Sequence, residues 1–170
     1  MSAIFAYLED APPRCLSAFD AIPAGQEGDE YAAAATFAIR CKSCGNDTFR
    51  PRGITRIIAD GGNHVHIGVR TTCAKCARDE TLINATRSGY DGELGRLGHL
   101  AGEDQEERLD NAGSEPLMLN VQFVYSIELP ELLEHARDRG IGPEDFFDHV
   151  TVLCRSGDRP WREIWDFACA

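Results

Sequence analysis

The chain has 170 residues, 43% of them hydrophobic and 26% charged, enough for one domain with a real core, because a chain of this size buries roughly 70% of its unfolded surface. Its net charge of −11 opposes long-range approach to nucleic acid, where phosphate neutralisation supplies most non-specific affinity. No apolar run approaches the roughly 18 residues that cross a bilayer, and the start MSAIFAYLEDAPPR lacks the basic and apolar regions of a signal peptide, so the expected address is the cytoplasm.

In chain order, residues 1–36 read as an irregular arm, broken by Pro12, Pro13, Pro23, Gly25 and Gly28. Phe37, Ile39 and Cys41 alternate as in a strand, and Cys41-Lys-Ser-Cys44 follows as a knuckle. The stretches 48–60 and 64–72 are expected to form a hairpin across Asp60-Gly-Gly-Asn63, because glycine supplies positive φ without steric cost. A second knuckle, Cys73-Ala-Lys-Cys76, leads into a strand at 80–87. Residues 88–116 hold six glycines and dense acids with no sustained period, and read as a long loop. The clearest strand is 117–127, with Leu117, Leu119, Val121, Phe123, Tyr125 and Ile127 on one face. Pro130 can open a helix through Leu132, Leu133 and Ala136 that Gly140 would end, and Gly142-Pro143 a second, short one carrying Phe146 and Phe147. Residues 151–170 resemble a hairpin turning at 156–160 and burying some of Trp161, Ile164, Trp165 and Phe167.

The expected fold class is therefore α+β: mainly antiparallel β, with a metal-holding lobe and two short C-terminal helices. The expected division is an arm at 1–36, a cysteine-bearing unit at 37–87, an acidic glycine-rich loop at 88–116 and an α+β remainder at 117–170, all in one compact unit.

Seven cysteines are many for a reducing compartment, and an odd number cannot close into a disulfide framework. Two C-x-x-C pairs separated by 28 residues, Cys41/Cys44 and Cys73/Cys76, resemble a zinc ribbon over residues 37–87, about a third of the chain; the general look is that of bacterial zinc-ribbon proteins. The resemblance implies one structural Zn²⁺ in a closed four-thiolate site, each knuckle ending a β-hairpin, with no open position for substrate. Gly45 fits the positive-φ position that follows such a knuckle, whereas the second knuckle has Ala77 there and departs from the pattern. A thioredoxin-like reading fails because both pairs lie among strand and turn signals.

Elsewhere the chemistry thins out. His64 and His66 share one face of a strand that begins at a turn, which favours a solvated face over a second metal. His99, His135 and His149 stand alone. Cys15, Cys154 and Cys169 read as small buried hydrophobes, although Leu153-Cys-Arg-Ser-Gly157 faintly echoes the first knuckle. No catalytic residue can be picked from the 28 acids, and the glycines of 89–98 match neither phosphate-binding fingerprint.

Charge is unevenly spread. Residues 1–39 carry one Arg against six acids, residues 40–90 nine basic groups against four acids, and residues 91–170 seven against eighteen. The basic stretch is expected to face the chain's own acids. Three roles follow. The preferred one is a non-enzymatic interaction module or adaptor that uses its acidic surface on a protein with a basic surface. The second is a nucleic-acid-associated ribbon using Arg50, Arg52, Arg56 and Arg70 on phosphates, and the third an enzyme of unidentified class.

Overall fold

The computed structural model describes residues 12–28, 32–58, 64–93, 95, 97, 100–109, 112–126 and 140–168. Nine strands make one sheet: β1 (Phe19–Gly28), β2 (Ala32–Cys41), β3 (Thr48–Ile58), β4 (His64–Cys73), β5 (Asp79–Asn84), β6 (Leu100–Glu107), β7 (Leu117–Ser126), β8 (His149–Arg155) and β9 (Arg162–Ala168). Every pairing is antiparallel. The order is β1-β2-β7-β3-β4-β5, with β6 joined to β3 and β8 to β7, followed by β9, and the sheet curls into a half-barrel.

The organising strand is β7. One edge pairs with β8 along its length, and the other meets β3 at Leu117 and Met118, then β2 from Asn120 to Ser126. Its alternating pattern places Leu117, Leu119, Val121, Phe123 and Tyr125 inside, each at most 1% exposed. Ile127 lies outside the described residues. Phe123 packs edge-on to Phe37 of β2, with centroids 6.1 Å apart, and against Phe147 at 4.7 Å. Tyr125 is fully buried, yet its hydroxyl donates to the Glu144 carbonyl at 2.9 Å, as a buried phenol requires. Burial pushes its pKa well above the usual tyrosine value.

The α+β expectation is corrected: the architecture is nearly all antiparallel β. Among the described residues no helix reaches seven residues, and the longest is α1 (Gly89–Glu93). Neither of the two expected C-terminal helices stands among the described residues. At the second, only a single 3-10 turn forms, Pro143–Asp145. The reason is tertiary. Phe146 and Phe147 enter the core one after the other, and β8 begins at His149. The Asp145 carboxylate is taken by the Arg14 backbone N–H at 2.7 Å and by its guanidinium, which also pairs with Glu93 at 2.9 Å. The segment assigned to the first helix, 130–139, lies outside the described residues; Gly140 does have the positive φ, +69°, expected of it.

Two further strands were not anticipated. β1 runs through Pro23 and Gly25, where an irregular arm was expected; a register shift between these two residues lets an edge strand absorb the missing donor. β6 lies within the expected acidic loop and pairs with β3. β3 pairs with β4 and β8 with β9, as expected; the turn residues 60–63 lie outside the described residues. Gly68 of β4 is required by packing: a Cβ there would collide with the Ile83 carbonyl oxygen of β5.

Candidate metal centre

The knuckles are built alike. In the first, which joins β2 to β3, the Cys41 N–H donates to the Asn46 carbonyl at 2.7 Å and the Gly45 N–H to the Cys41 carbonyl at 2.8 Å. In the second, joining β4 to β5, the Cys73 N–H donates to the Arg78 carbonyl at 2.8 Å and the Ala77 N–H to the Cys73 carbonyl at 3.1 Å. The residue four after the first cysteine is left-handed in both, Gly45 at φ +69° and Ala77 at φ +56°. Ala77 therefore reproduces the turn that its sequence departs from. Only the second knuckle closes a hairpin, since β2 and β3 are not partners of one another. The first instead links two strands that follow each other along one edge of β7. The pairing of Phe49 with Cys73 and the Ala74 N–H bond to the Thr48 carbonyl, 3.0 Å, then bring the knuckles face to face.

All four sulfurs consequently lie within 4.8 Å of one another. Cys41 Sγ is 3.6 Å from Cys76 Sγ, and Cys44 Sγ 3.6 Å from Cys73 Sγ. A tetrahedron with metal–sulfur bonds of about 2.3 Å has sulfur–sulfur edges of about 3.8 Å, so the spacing fits one ion at the centre. Among the described residues no other group of three or more His, Cys, Asp or Glu side chains converges in this way. Four thiols are a soft donor set, suited to a thiophilic ion rather than to magnesium or calcium. Cys41 and Cys73 are buried, Cys44 half-buried and Cys76 exposed.

The surroundings act on the sulfurs in opposite directions. Burial opposes ionisation of Cys73, but the N–H groups of Cys76 and Lys75 and the neighbouring thiols outweigh it and lower its pKa to about 6. At Cys44 the Asn46 N–H favours the thiolate, yet burial and the three other sulfurs push the pKa up to about 12. Four thiols sharing one small space thus hold on to protons that a cation would displace. The Asn46 amide reaches across the site, 3.6 Å from Cys73 Sγ and 2.6 Å from the Thr48 carbonyl. Arg78 bonds Glu80 at 2.6 Å and Ser43 of the opposite knuckle at 2.6 Å. Glu80 raises its pKa most, and the sulfurs of Cys41 and Cys76 add to the rise. Asn46 and Arg78 were missed in the sequence. Both stand five residues after the first cysteine of a pair, and that shared offset was the available signal.

The other candidates fall elsewhere. His64 and His66 are exposed on β4, with His66 Nε2 3.9 Å from Glu107. His149 lies 3.6 Å from Asp166, while His99 and His135 are outside the described residues. Cys154 sits in the core on β8, so its local echo of a knuckle is a strand; Cys169 is outside the described residues. Burial raises the pKa of the Cys15 thiol, as for an inert core cysteine.

Three of the four arginines considered for phosphate contact are already engaged. Arg52 pairs with Asp79 and, at 2.6 Å, with Glu106; Arg56 meets Asp104 at 2.5 Å; Arg70 meets Asp79 at 2.6 Å. Arg50 is exposed and has no ion-pair partner among the described residues. Among the described residues no helix is long and apolar enough to cross a membrane. Compared with known proteins, the chain matches no family model, no curated protein and no solved structure.

Proposed function

We propose that Cys41, Cys44, Cys73 and Cys76 hold one structural Zn²⁺, and that the protein is a non-catalytic interaction module whose acidic surface docks a protein partner with a basic surface. The observation that carries the metal assignment is the pair of matched knuckles with four sulfurs at tetrahedral spacing. Zinc suits four thiolates in a closed tetrahedron, and such sites contribute folding energy instead of chemistry. The ion would fasten β2 to β3 and β4 to β5, the two crossings on which the centre of the sheet depends. When bound it neutralises charge on the sulfurs; Asn46, Arg78 and the backbone N–H groups hold and orient them.

Support for an acidic docking surface comes from the charge layout. Arg52, Arg56 and Arg70 of β3 and β4 are engaged by Asp79, Asp104 and Glu106, while Glu103, Glu107, Glu163 and Asp166 are exposed on a chain of net charge −11. The same pairing weighs against a phosphate-binding ribbon.

Elemental analysis of protein purified without added metal tests the first half, with one zinc per chain expected; no metal together with seven freely reacting thiols would refute it. Titration with labelled duplex DNA and single-stranded RNA at about 0.15 M ionic strength, where the Debye length is about 8 Å, tests the second. No binding is expected, whereas micromolar affinity lost on replacing Arg50, Arg52 and Arg56 with Ala would put the nucleic-acid role first.

A further inference from the structure

The curl of the sheet leaves β9 facing the end of β6 across a gap. Among the described residues β9 is hydrogen-bonded to β8 alone, and β6 to β3 alone. Between them lies a cleft of about 360 Å³, lined by residues 163–166 on one side and by His66 and residues 107–109 on the other. Among the described residues the edge of β9 away from β8 has no strand partner, and such an edge is the template to which another strand adds.

Its chemistry is defined. Glu107, Glu163 and Asp166 supply three carboxylates against the guanidinium of Arg108 and the imidazole of His66, which lies 3.9 Å from Glu107. Glu107 and Asp166 are about half exposed, with side chains at 47% and 54%. Beneath them the floor is apolar. Trp165 pairs with Val152 and Glu163 with Leu153, so Ile164 is an extra residue, and Ile164 and Trp165 are both buried. Trp165 is 5% exposed, and its indole Nε1 has no hydrogen-bond partner among the described residues.

We propose that this edge is the docking site: an extended segment of a partner protein bearing Lys or Arg adds as a strand beside β9. The proposal rests on the acidic-module reading above and names the surface that performs it. Main-chain bonds to β9 would supply affinity, and the carboxylate rim would select cationic side chains over acidic ones. A strand rise of about 3.3 Å, a strand spacing of about 4.8 Å and a sheet spacing of about 10 Å allot about 160 Å³ to each residue. The cleft thus seats about two residues, with the rest of the segment running along the strand.

The test uses the zinc-loaded full chain and end-blocked octapeptides that alternate Val with Lys, Val with Glu, or Val with Lys carrying N-methyl groups on alternate amides. Fluorescence anisotropy measures binding, and amide NMR shifts locate it. The expected result is micromolar binding of the Val–Lys peptide alone, with shifts confined to residues 162–168 and 107–109. Glu163→Lys with Asp166→Lys, and separately the N-methylated peptide, should each weaken binding by about tenfold or more. Both substituted residues are exposed; should the double variant disturb the fold, the N-methylated peptide on unaltered protein makes the same distinction. Binding that maps to another surface, or that tolerates N-methylation, overturns the proposal and leaves the acidic-module reading standing. No binding of any cationic peptide overturns both.

Discussion

Ala77 is the only non-glycine residue with positive φ among the described residues, and it sits in a turn whose twin uses Gly45. The left-handed conformation costs an L-residue about 1–2 kcal/mol. Replacing Ala77 by Gly removes that strain but returns about 0.4–1 kcal/mol of unfolded-state entropy. The net expectation for Ala77→Gly is a gain of about 0.5–1 kcal/mol, or about 2–3 °C in melting temperature for a chain of this length. Gly45→Ala isolates the same net quantity with the opposite sign, because a Cβ at Gly45 would meet nothing within 4 Å; its loss of about 0.5–1 kcal/mol would be backbone strain less the unfolded-state term, with no steric clash. The assay is urea denaturation of zinc-loaded protein at fixed free zinc, since metal concentration itself shifts apparent stability. An unchanged or lower midpoint for Ala77→Gly would refute the claim that the two knuckles store the same backbone geometry unequally.

Cys73→Ser should abolish stoichiometric zinc and lower the melting temperature sharply, as checked by elemental analysis and calorimetry; a variant that keeps both would contradict a structural role. Asn46→Ala should weaken zinc affinity by about tenfold, the usual scale for partners that orient metal ligands, in a chelator competition that needs no activity readout. Phe123→Ala should cost about 3–5 kcal/mol, because the ring is fully buried between Phe37 and Phe147; a cost below about 1 kcal/mol would mean the strand's faces were misassigned. At Asp79 burial opposes the charge, but Thr72, Arg70 and Arg52 outweigh it and lower the pKa. Its contribution is therefore present above the unfolded carboxylate value of about 3.9 and lost as pH falls through the lower folded value. Asp79→Asn should flatten the acid limb of the stability profile below about pH 4, and an unaltered limb would count against the Arg52–Asp79–Arg70 bridge.

What was legible in the sequence was whatever depends on near neighbours. The alternation of Leu117 to Tyr125, the paired cysteines and the positive φ of Gly45 and Gly140 are each decided within a few residues. The elements that escaped depend on distant partners. β6 reads as charged loop because its stability comes from pairing with β3, not from any apolar stripe of its own. Phe146 and Phe147 suggested a helix face, but two adjacent aromatics can also enter a core from an irregular segment when Phe123 and Tyr125 wait on the far side. The site was legible in its ligands and not in its supports: the spacing of the cysteines identifies four sulfurs, while Asn46 and Arg78 matter only because β3 beside β4 brings the knuckles together.

The charge pattern carries the same lesson one step further, to function. Counted along the chain, residues 40–90 are a basic segment between acidic ones, and a basic segment invites a phosphate. Counted across the sheet, Arg52 of β3 stands directly opposite Arg70 of β4, a like-charge pair that would be destabilising alone. Asp79 of β5 reaches both from one side, while Glu106 of β6 bonds Arg52 and approaches Arg70 to 3.6 Å. The acids that close this square come from β5 and from the stretch that looked like loop. The arginines are thus part of the sheet's own assembly, and the charge left to act on a partner is negative. On the docking proposal, the edge of β9, rimmed by Glu163, Asp166 and Glu107, is where a cationic strand would gain most.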